Sequence, residues 1–325
     1  MSDYVKSLGW YIRFVPPSQT ALSGFYKETL GFPFVRAGNP QAVDFFWAGE
    51  ALIFELIFEG RTEVMPEVEA DPDRAPLLPL YRVTDLDALV ATLRAKDVPL
   101  TPIRQNALGR ECYLRDPIGC LIGMRQVDAS SRLPQDMEAA RRARRGEAFN
   151  PGCASMPPYW QELGWVKRHV ADVNAMQQFY SSVLGLPVVA KLGDCVLLDM
   201  GDNTLLELAP GGVATTPPAN RAELPATLIL RIQNIAGFKQ HMQRQGVRIV
   251  HDIIQWVRGS LSYIADPEGN LIGVEEKYHP GDYAGHAPFP EDLETQRRWN
   301  EIRAHRRLLA GSTNPAAEKE HNYSA

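Results

Sequence analysis

The sequence predicts an α+β protein built from four β-α-β-β-β modules taken in two pairs. Three observations carry this. First, a hairpin is written twice: Tyr113-Leu114-Arg115-Asp116-Pro117-Ile118-Gly119-Cys120-Leu121-Ile122-Gly123 returns as Tyr263-Ile264-Ala265-Asp266-Pro267-Glu268-Gly269-Asn270-Leu271-Ile272-Gly273. Pro presets φ at the front of the turn, Gly accepts a positive φ, and Asp bonds back to the local backbone. Second, Phe25-Tyr26 with Leu30-Gly31-Phe32-Pro33 is answered by Phe179-Tyr180 with Leu184-Gly185-Leu186-Pro187. Third, the apolar pattern switches repeatedly from alternation to helical spacing and back, as strand, helix and hairpin in succession require.

In order, Gly9 to Val15 alternates as a half-buried strand and turns at Pro16-Pro17. A helix follows with Ser18 as its expected cap, Leu22, Phe25, Tyr26 and Leu30 on one face, and Gly31 as its left-handed stop. Phe45-Phe46-Trp47 and Ala51 to Phe58 form a hairpin that completes module one. Module two repeats the order with strand Leu78 to Val83, helix Asp85 to Lys96, strand Val98 to Ile103 and the first Asp-Pro-Ile-Gly hairpin. Between them Arg61 to Pro76, rich in Pro, Asp and Glu, reads as a surface loop. Module three opens at Gly164-Trp165, which answers Gly9-Trp10, and Leu206-Glu207-Leu208 answers Phe54-Glu55-Leu56. Module four has strand Leu228 to Ile232, helix Ile235 to Gln245 ending at Gly246, and the second hairpin. The expected organisation is an N-terminal domain over 1–127, a linker over 128–160 containing a basic helix from Asp136 to Arg145, a C-terminal domain over 161–278, and a tail over 279–325 with a docking helix from Glu291 to Leu309.

Composition narrows the class of function. The 325 residues are 45% hydrophobic, enough for two cores, and Lys+Arg 34 against Asp+Glu 39 gives a net charge of −5. No global field favours nucleic acid or an anionic membrane surface. No run of about 18 apolar residues is present, and the first residues lack a secretory apolar segment, so a soluble cytoplasmic protein is expected. Cys112, Cys120, Cys153 and Cys195 form no CxxC pair and read as reduced thiols.

Four such modules, with the Phe-Tyr and Leu-Gly-x-Pro motif in the odd ones and Asp-Pro-x-Gly in the even ones, resemble the vicinal oxygen chelate superfamily. Its members include glyoxalase I, methylmalonyl-CoA epimerase, extradiol dioxygenases and the bleomycin and fosfomycin resistance proteins. The resemblance implies two glyoxalase-like domains, each closing a curved sheet around a pocket, with metal ligands on the first and last strands of the modules. Here the first-strand slots hold Trp10, Leu78, Trp165 and Thr227, and the last-strand slots hold Glu55, Gly123, Glu207 and Gly273. One carboxylate per pocket cannot replace the two His and one carboxylate of an Fe(II) site, so no metal and no other cofactor is expected.

Strand parity puts Glu207 and Tyr263 on one inner surface with Trp165, Lys167, His169 and Glu275, and gives the first domain Trp10, Ile12, Phe14, Glu55 and Tyr113. The resemblance implies a hydrogen-bonding role for Tyr263. A carboxylate between Leu206 and Leu208 should be a stronger base than one in water. Either tryptophan is also readable as a core aromatic, either glutamate as the structural partner of a cation such as Lys167, and His169 as a hydrogen-bonded core histidine. Arg13 and Arg168 point to the opposite face and are expected to brace helices. The leading expectation is metal-independent lyase or isomerase chemistry on a small aromatic or oxygenated molecule, with Glu207 as base and Tyr263 as donor. The alternatives are an extradiol-type enzyme whose metal has moved to His169, Glu207 and Glu275, and a ligand-sequestering protein like those of bleomycin resistance. The expected partner is a small molecule, with self-association into a homodimer left open; nucleic acid and membrane are not expected.

Overall fold

Each module turns its repeated pattern into the same run of elements. The structure is a computed structural model that describes residues 4–19, 21–37, 43–49, 52–58, 71–128, 156–201, 204–219, 223–256 and 259–277. Module one comprises β1 (Val5–Phe14), α1 (Leu22–Gly24), β2 (Phe34–Ala37), β3 (Val43–Trp47) and β4 (Ile53–Ile57). Module two comprises β5 (Leu78–Val83), α2 (Leu86–Arg94), β6 (Arg104–Asn106), β7 (Gly109–Arg115) and β8 (Leu121–Val127). Module three comprises β9 (Trp160–Val170), α3 (Val173–Gln178), β10 (Val188–Leu192), β11 (Cys195–Asp199) and β12 (Leu205–Pro210). Module four comprises β13 (Ala226–Ile232), α4 (Ile235–Arg244), β14 (Ile249–Trp256), β15 (Gly259–Ala265) and β16 (Leu271–Lys277).

Helix starts follow cap chemistry. Asp85 accepts from the Ala88 amide, Asp172 from Asn174 and Ala175, and Asn234 from Gly237, each satisfying an amide that has no partner in the first turn. Module one differs from expectation. Ser18 lies in a 3-10 turn over Pro17–Gln19, and the helix starts later, behind Ala21, without a side-chain cap. The two prolines hold the chain in a turn there, with the Gln19 amide bonded to the Pro16 carbonyl at 2.9 Å. In modules one and three the Phe-Tyr motif proves to be a π-helical turn, Phe25–Thr29 and Phe179–Val183, stopped by Gly31 and Gly185 at φ 75° and 74°. The strand expected at Val98 to Ile103 reduces to an isolated bridge between Leu100 and Leu114, with the pairing taken up later by β6.

The sheets correct the expected pairing of modules. One eight-stranded sheet runs β14-β15-β16-β13-β1-β4-β3-β2 and the other β10-β11-β12-β9-β5-β8-β7-β6. Module one therefore joins module four, and module two joins module three, through antiparallel first strands: Ile12 faces Thr227 in β1/β13, and Leu80 faces Trp165 in β5/β9. Neither sheet is the N-terminal or the C-terminal half of the chain: one joins its two outer modules and the other its two middle ones. Any two modules can meet through their first strands, so the repeats alone cannot select the pairing.

What holds each half together is a buried polar cluster instead. Arg13 Nη1 donates to Asp116 Oδ2 at 2.9 Å, and Tyr26 Oη donates to the same oxygen at 2.8 Å. In the second half Arg168 Nη1 and Tyr180 Oη reach Asp266 Oδ2 at 3.3 and 3.1 Å. The arginines do face away from the pockets and grip the hairpin aspartate of the next module, and Arg13 Nη1 also lies 3.4 Å from Tyr26 Oη on the helical turn of its own module. The other oxygen of each aspartate closes its own turn, taking the amides of Ile118 and Cys120 or of Glu268 and Asn270. The repeated motifs thus read one another across the two sheets.

A large apolar core runs between the sheets and under the helices, and includes Tyr11, Tyr26, Phe46, Leu89, Met176, Phe179 and Phe238. Each sheet keeps a separate apolar cluster on its inner face. Cys112, Cys120 and Cys195 are free, while Cys153 lies outside the described residues. So do the helices expected at Asp136 to Arg145 and Glu291 to Leu309. No helix among the described residues is long and apolar enough to cross a membrane.

Candidate functional site

Because side chains alternate along a strand, every second residue of the first strands looks into the curl of its sheet. In the sheet of modules one and four the inner face carries Trp10, Ile12, Phe14, Phe45, Trp47, Ile57, Ile229, Leu261 and Tyr263. Two carboxylates join it: Glu275 accepts the Trp10 indole N–H at 2.7 Å, and half-buried Glu55 lies between Ile12 and Phe45 in register. The His251 ring stands edge-on to Tyr263 at 5.7 Å.

In the sheet of modules two and three the inner face is Leu78, Leu80, Leu108, Tyr113, Trp165, Leu197 and Leu205 around a buried ion network. Arg125, fully buried, donates from Nη1 to Glu207 at 2.7 Å, and from Nε and Nη2 to one oxygen of Glu111 at 3.0 and 2.6 Å. Tyr113 Oη donates to the other oxygen of Glu111 at 2.9 Å, and the guanidinium stands 4.9 Å from the Trp165 ring centre. Lys167 Nζ is 3.8 Å from Glu207, an ion pair without a hydrogen bond. Burial alone would push the Glu111 carboxyl up, but the charges of Arg125 and Lys167 and the hydrogen bonds from Arg125 and Tyr113 hold it at about 2. Burial and the neighbouring Glu111 push the Tyr113 phenol well up, so it stays a donor.

His169 sits on the same strand face as Trp165 and Lys167. Its Nδ1 is 2.7 Å from the Ala75 carbonyl, which can only accept, so Nδ1 carries the proton. Burial lowers the ring's pKa, and the adjacent Lys167 lowers it further, against the Ala75 bond. The ring is therefore neutral near pH 7, with a bare lone pair on Nε2.

Four placements differ from expectation. Glu207 and Tyr263 are not in one pocket: Glu207 is on β12 and Tyr263 on β15, in different sheets. Tyr113, assigned to the first domain's pocket, lies on the inner face that Glu207 shares, while Glu275 belongs with Trp10 and Glu55. All four follow from the module pairing. One oxygen of Glu207 is also already taken by Arg125. Glu111, Arg125 and Arg104 escaped notice, although Arg125 lies two residues beyond Gly123 and Glu111 two before Tyr113, both at inward parity.

The metal that the resemblance implies does not fit the residues present. The slots of one sheet hold Leu78, Gly123, Trp165 and Glu207, with a guanidinium already on the carboxylate; those of the other hold Trp10, Glu55, Thr227 and Gly273. A side chain at Gly123 would meet Leu80 at 2.6 Å, and one at Gly273 would meet Ile229 at 2.1 Å. The displaced set His169, Glu207 and Glu275 is divided between sheets. Among the described residues no group of three or more His, Cys, Asp or Glu could hold a metal ion.

Comparison with known proteins agrees with this architecture. The sequence model of the family described as Glyoxalase/Bleomycin resistance protein/Dioxygenase superfamily matches residues 162–274. Glyoxalase I from Zea mays aligns with a TM-score of 0.58 at 14% identity, covering 84% of this chain and 93% of its own. A Bacillus subtilis protein provisionally described as a dioxygenase aligns with a TM-score of 0.58 at 13% identity, covering 96% of this chain and 98% of its own. Identities this low establish the fold and leave activity open. No curated protein sequence matches the chain.

Proposed function

We propose, taking the chain as a member of the glyoxalase/bleomycin resistance protein/dioxygenase superfamily, that it is a lyase or isomerase working without a metal on a small oxygenated molecule. The observation that carries this is the neutral His169 imidazole, anchored through Nδ1 with Nε2 unengaged, beside the Lys167 ammonium. His169 Nε2 removes a proton from a carbon next to a carbonyl, and the electron pair moves onto the carbonyl oxygen. Lys167 meets the developing negative charge, the task that a metal performs in other members. Where the carbon that loses the proton carries a hydroxyl, that hydroxyl becomes the new carbonyl as its proton moves to the enolate oxygen and a proton adds to the former carbonyl carbon, which gives an isomerase; where the carbon on its other side carries a leaving group, the electron pair returns to form a carbon–carbon double bond and expels that group, which gives a lyase. Glu207 and Arg125 position Lys167 and do not touch the reacting atoms. The three free thiols among the described residues fit a cytoplasmic location.

The test is solvent deuterium exchange into a panel of 2-oxo acids, 2-hydroxy ketones and simple ketones, followed by NMR with and without chelator. Exchange should be indifferent to chelator and fall about 100-fold or more in His169→Gln. Exchange lost on chelation would return the chemistry to a metal. The second reading, a sequestering protein, is favoured by the near-complete burial of Trp165 and Tyr113. Tight binding with no exchange by any panel member would establish it.

A further inference from the structure

The carbonyl that orients His169 comes from a turn of another module, just ahead of β5. Asp71-Pro72-Asp73-Arg74 has the residues that a tight turn prefers, Asp first to bond back and Pro second to preset φ. The Arg74 and Ala75 amides donate to the Asp71 carbonyl at 3.1 and 2.8 Å, and the Asp73 amide donates to Asp71 Oδ1 at 2.9 Å. Ala75 is fully buried at the end of this turn, where its carbonyl takes the Nδ1 proton of His169 at 2.7 Å. On one side the turn is packed against Gly211, just past β12: a Cβ there would lie 2.9 Å from the Asp73 carbonyl oxygen and 4.0 Å from His169 Cδ2. On the other side an ion pair ties it to β6, with Arg104 Nη1 donating to both oxygens of Asp73 at 2.9 and 2.8 Å. Apart from the His169 bond itself, that pair is the one hydrogen-bonded link between the turn and the strands among the described residues. Arg104 is in turn held by its surroundings: it opposes Glu111 in register, and its guanidinium stands 5.2 Å from the Tyr113 ring centre.

We propose that Asp73 and Arg104 are positioning residues, a latch that decides which nitrogen of His169 is free to take a proton. A neutral imidazole in water favours the proton on Nε2, the nitrogen that must be bare in a base; the Ala75 carbonyl reverses this preference only while the turn lies against the ring. With the pair closed, Nδ1 holds the proton and Nε2 is a base. With the turn lifted, Nδ1 gives its proton to water as another adds to Nε2, and the nitrogen that should accept becomes a donor. Neither Asp73 nor Arg104 touches the reacting atoms. The role in turnover rests on the proposed lyase or isomerase reading, and the state of the ring does not. Asp73 is exposed and Arg104 half-buried, so the pair shifts the balance modestly and without any part in the core.

The experiment reads the ring directly, from the ring-nitrogen NMR signals of His169 in isotope-labelled, substrate-free protein at neutral pH, identified by their loss in His169→Gln. Wild type should show a protonated Nδ1 and a bare Nε2. Asp73→Ala should move the ratio of the two forms about two- to fivefold toward protonated Nε2, the worth of an exposed pair, and Asp73→Glu should keep the wild-type ratio. Arg104→Ala should shift the ratio as Asp73→Ala does, and the double variant no further, because the two residues act through one contact. Pro72→Gly, which loosens the same turn without touching the pair, should move the signals the same way. Ring signals unchanged in Asp73→Ala, even with a lowered melting temperature, or effects of Asp73→Ala and Arg104→Ala that add, would overturn the latch. Ring state is read apart from turnover: a shifted ratio in a protein that exchanges no ketone sinks the reaction and keeps the latch, and exchange through His169 with an unshifted ratio does the reverse.

Discussion

Replacing Arg125 with Met removes one charge and leaves two carboxylates, Glu111 and Glu207, buried together without a guanidinium. Breaking a buried ion pair from one side costs ~3–5 kcal/mol, because the surviving charge is neither solvated nor paired. The structure gives a second route to the magnitude. The Glu111 carboxyl, ordinarily 4.5, is held at about 2 in the fold, a difference of ~3 kcal/mol at neutral pH. Its sign is that of a depressed acid: the stability is fully present above about 4.5 and is lost as pH falls through about 2. In Arg125→Met the sign reverses, since buried carboxylates without a partner hold protons more tightly folded than unfolded. The variant should lose stability as pH rises from about 4.5 upward, so the two proteins should differ most at pH 7.5 and converge near pH 4. Urea midpoints at both pH values measure this. A loss of equal size at both would show that Arg125 acts through packing on Trp165 and would refute the electrostatic account. The triple variant Glu111→Gln, Arg125→Met, Glu207→Gln should recover most of the loss.

Two further outcomes follow from the hairpins. Asp116→Asn keeps the oxygen that closes the turn but sets an amide against Arg13 and Tyr26, and should destabilise more than Asp266→Asn, whose Arg168 and Tyr180 partners stand further off at 3.3 and 3.1 Å beside the neutral Asn270 amide at 3.0 Å; equal midpoints would show that the contact to the arginine and tyrosine does not set the cost. Gly269→Ala should cost well over ~2 kcal/mol, since its φ is 86° and a Cβ would lie 2.0 Å from the Thr215 carbonyl oxygen, whereas Gly246→Ala, with φ 70° and nothing within 4 Å of its Cβ, carries the backbone strain without that collision; a thermal scan showing both equally destabilised would remove the collision from the argument.

The order of elements was legible because periodicity and turn chemistry are local: Asp85, Gly31, Gly119 and Gly269 act within a few residues of themselves. The partnership of modules was not legible. It depends on first strands meeting at long range, Ile12 with Thr227 and Leu80 with Trp165, and Trp10 would sit as readily against Leu80 as against Ile229 as far as pattern goes. The site inherited this error. Parity placed Glu207, Lys167, His169, Glu275 and Tyr263 on inner faces, which strand geometry does decide, but which inner face Tyr263 or Tyr113 shares is a matter of topology. Arg125 went unread for another reason. A charge on an apolar strand gains meaning only when its counter-charges are known, and Glu111 and Glu207 come from two different modules.

The nesting of the sheets also sets an order of events on the ribosome. Modules two and three are adjacent in the chain, so their sheet can close once residue 210 has emerged. β1 must wait until β13 is made, and until then its long edge is open to any strand that passes. A chain cut between β12 and β13 would therefore leave one finished sheet and one exposed template for aggregation, and a holding chaperone would find its substrate at the N-terminal module, the part synthesised first and completed last.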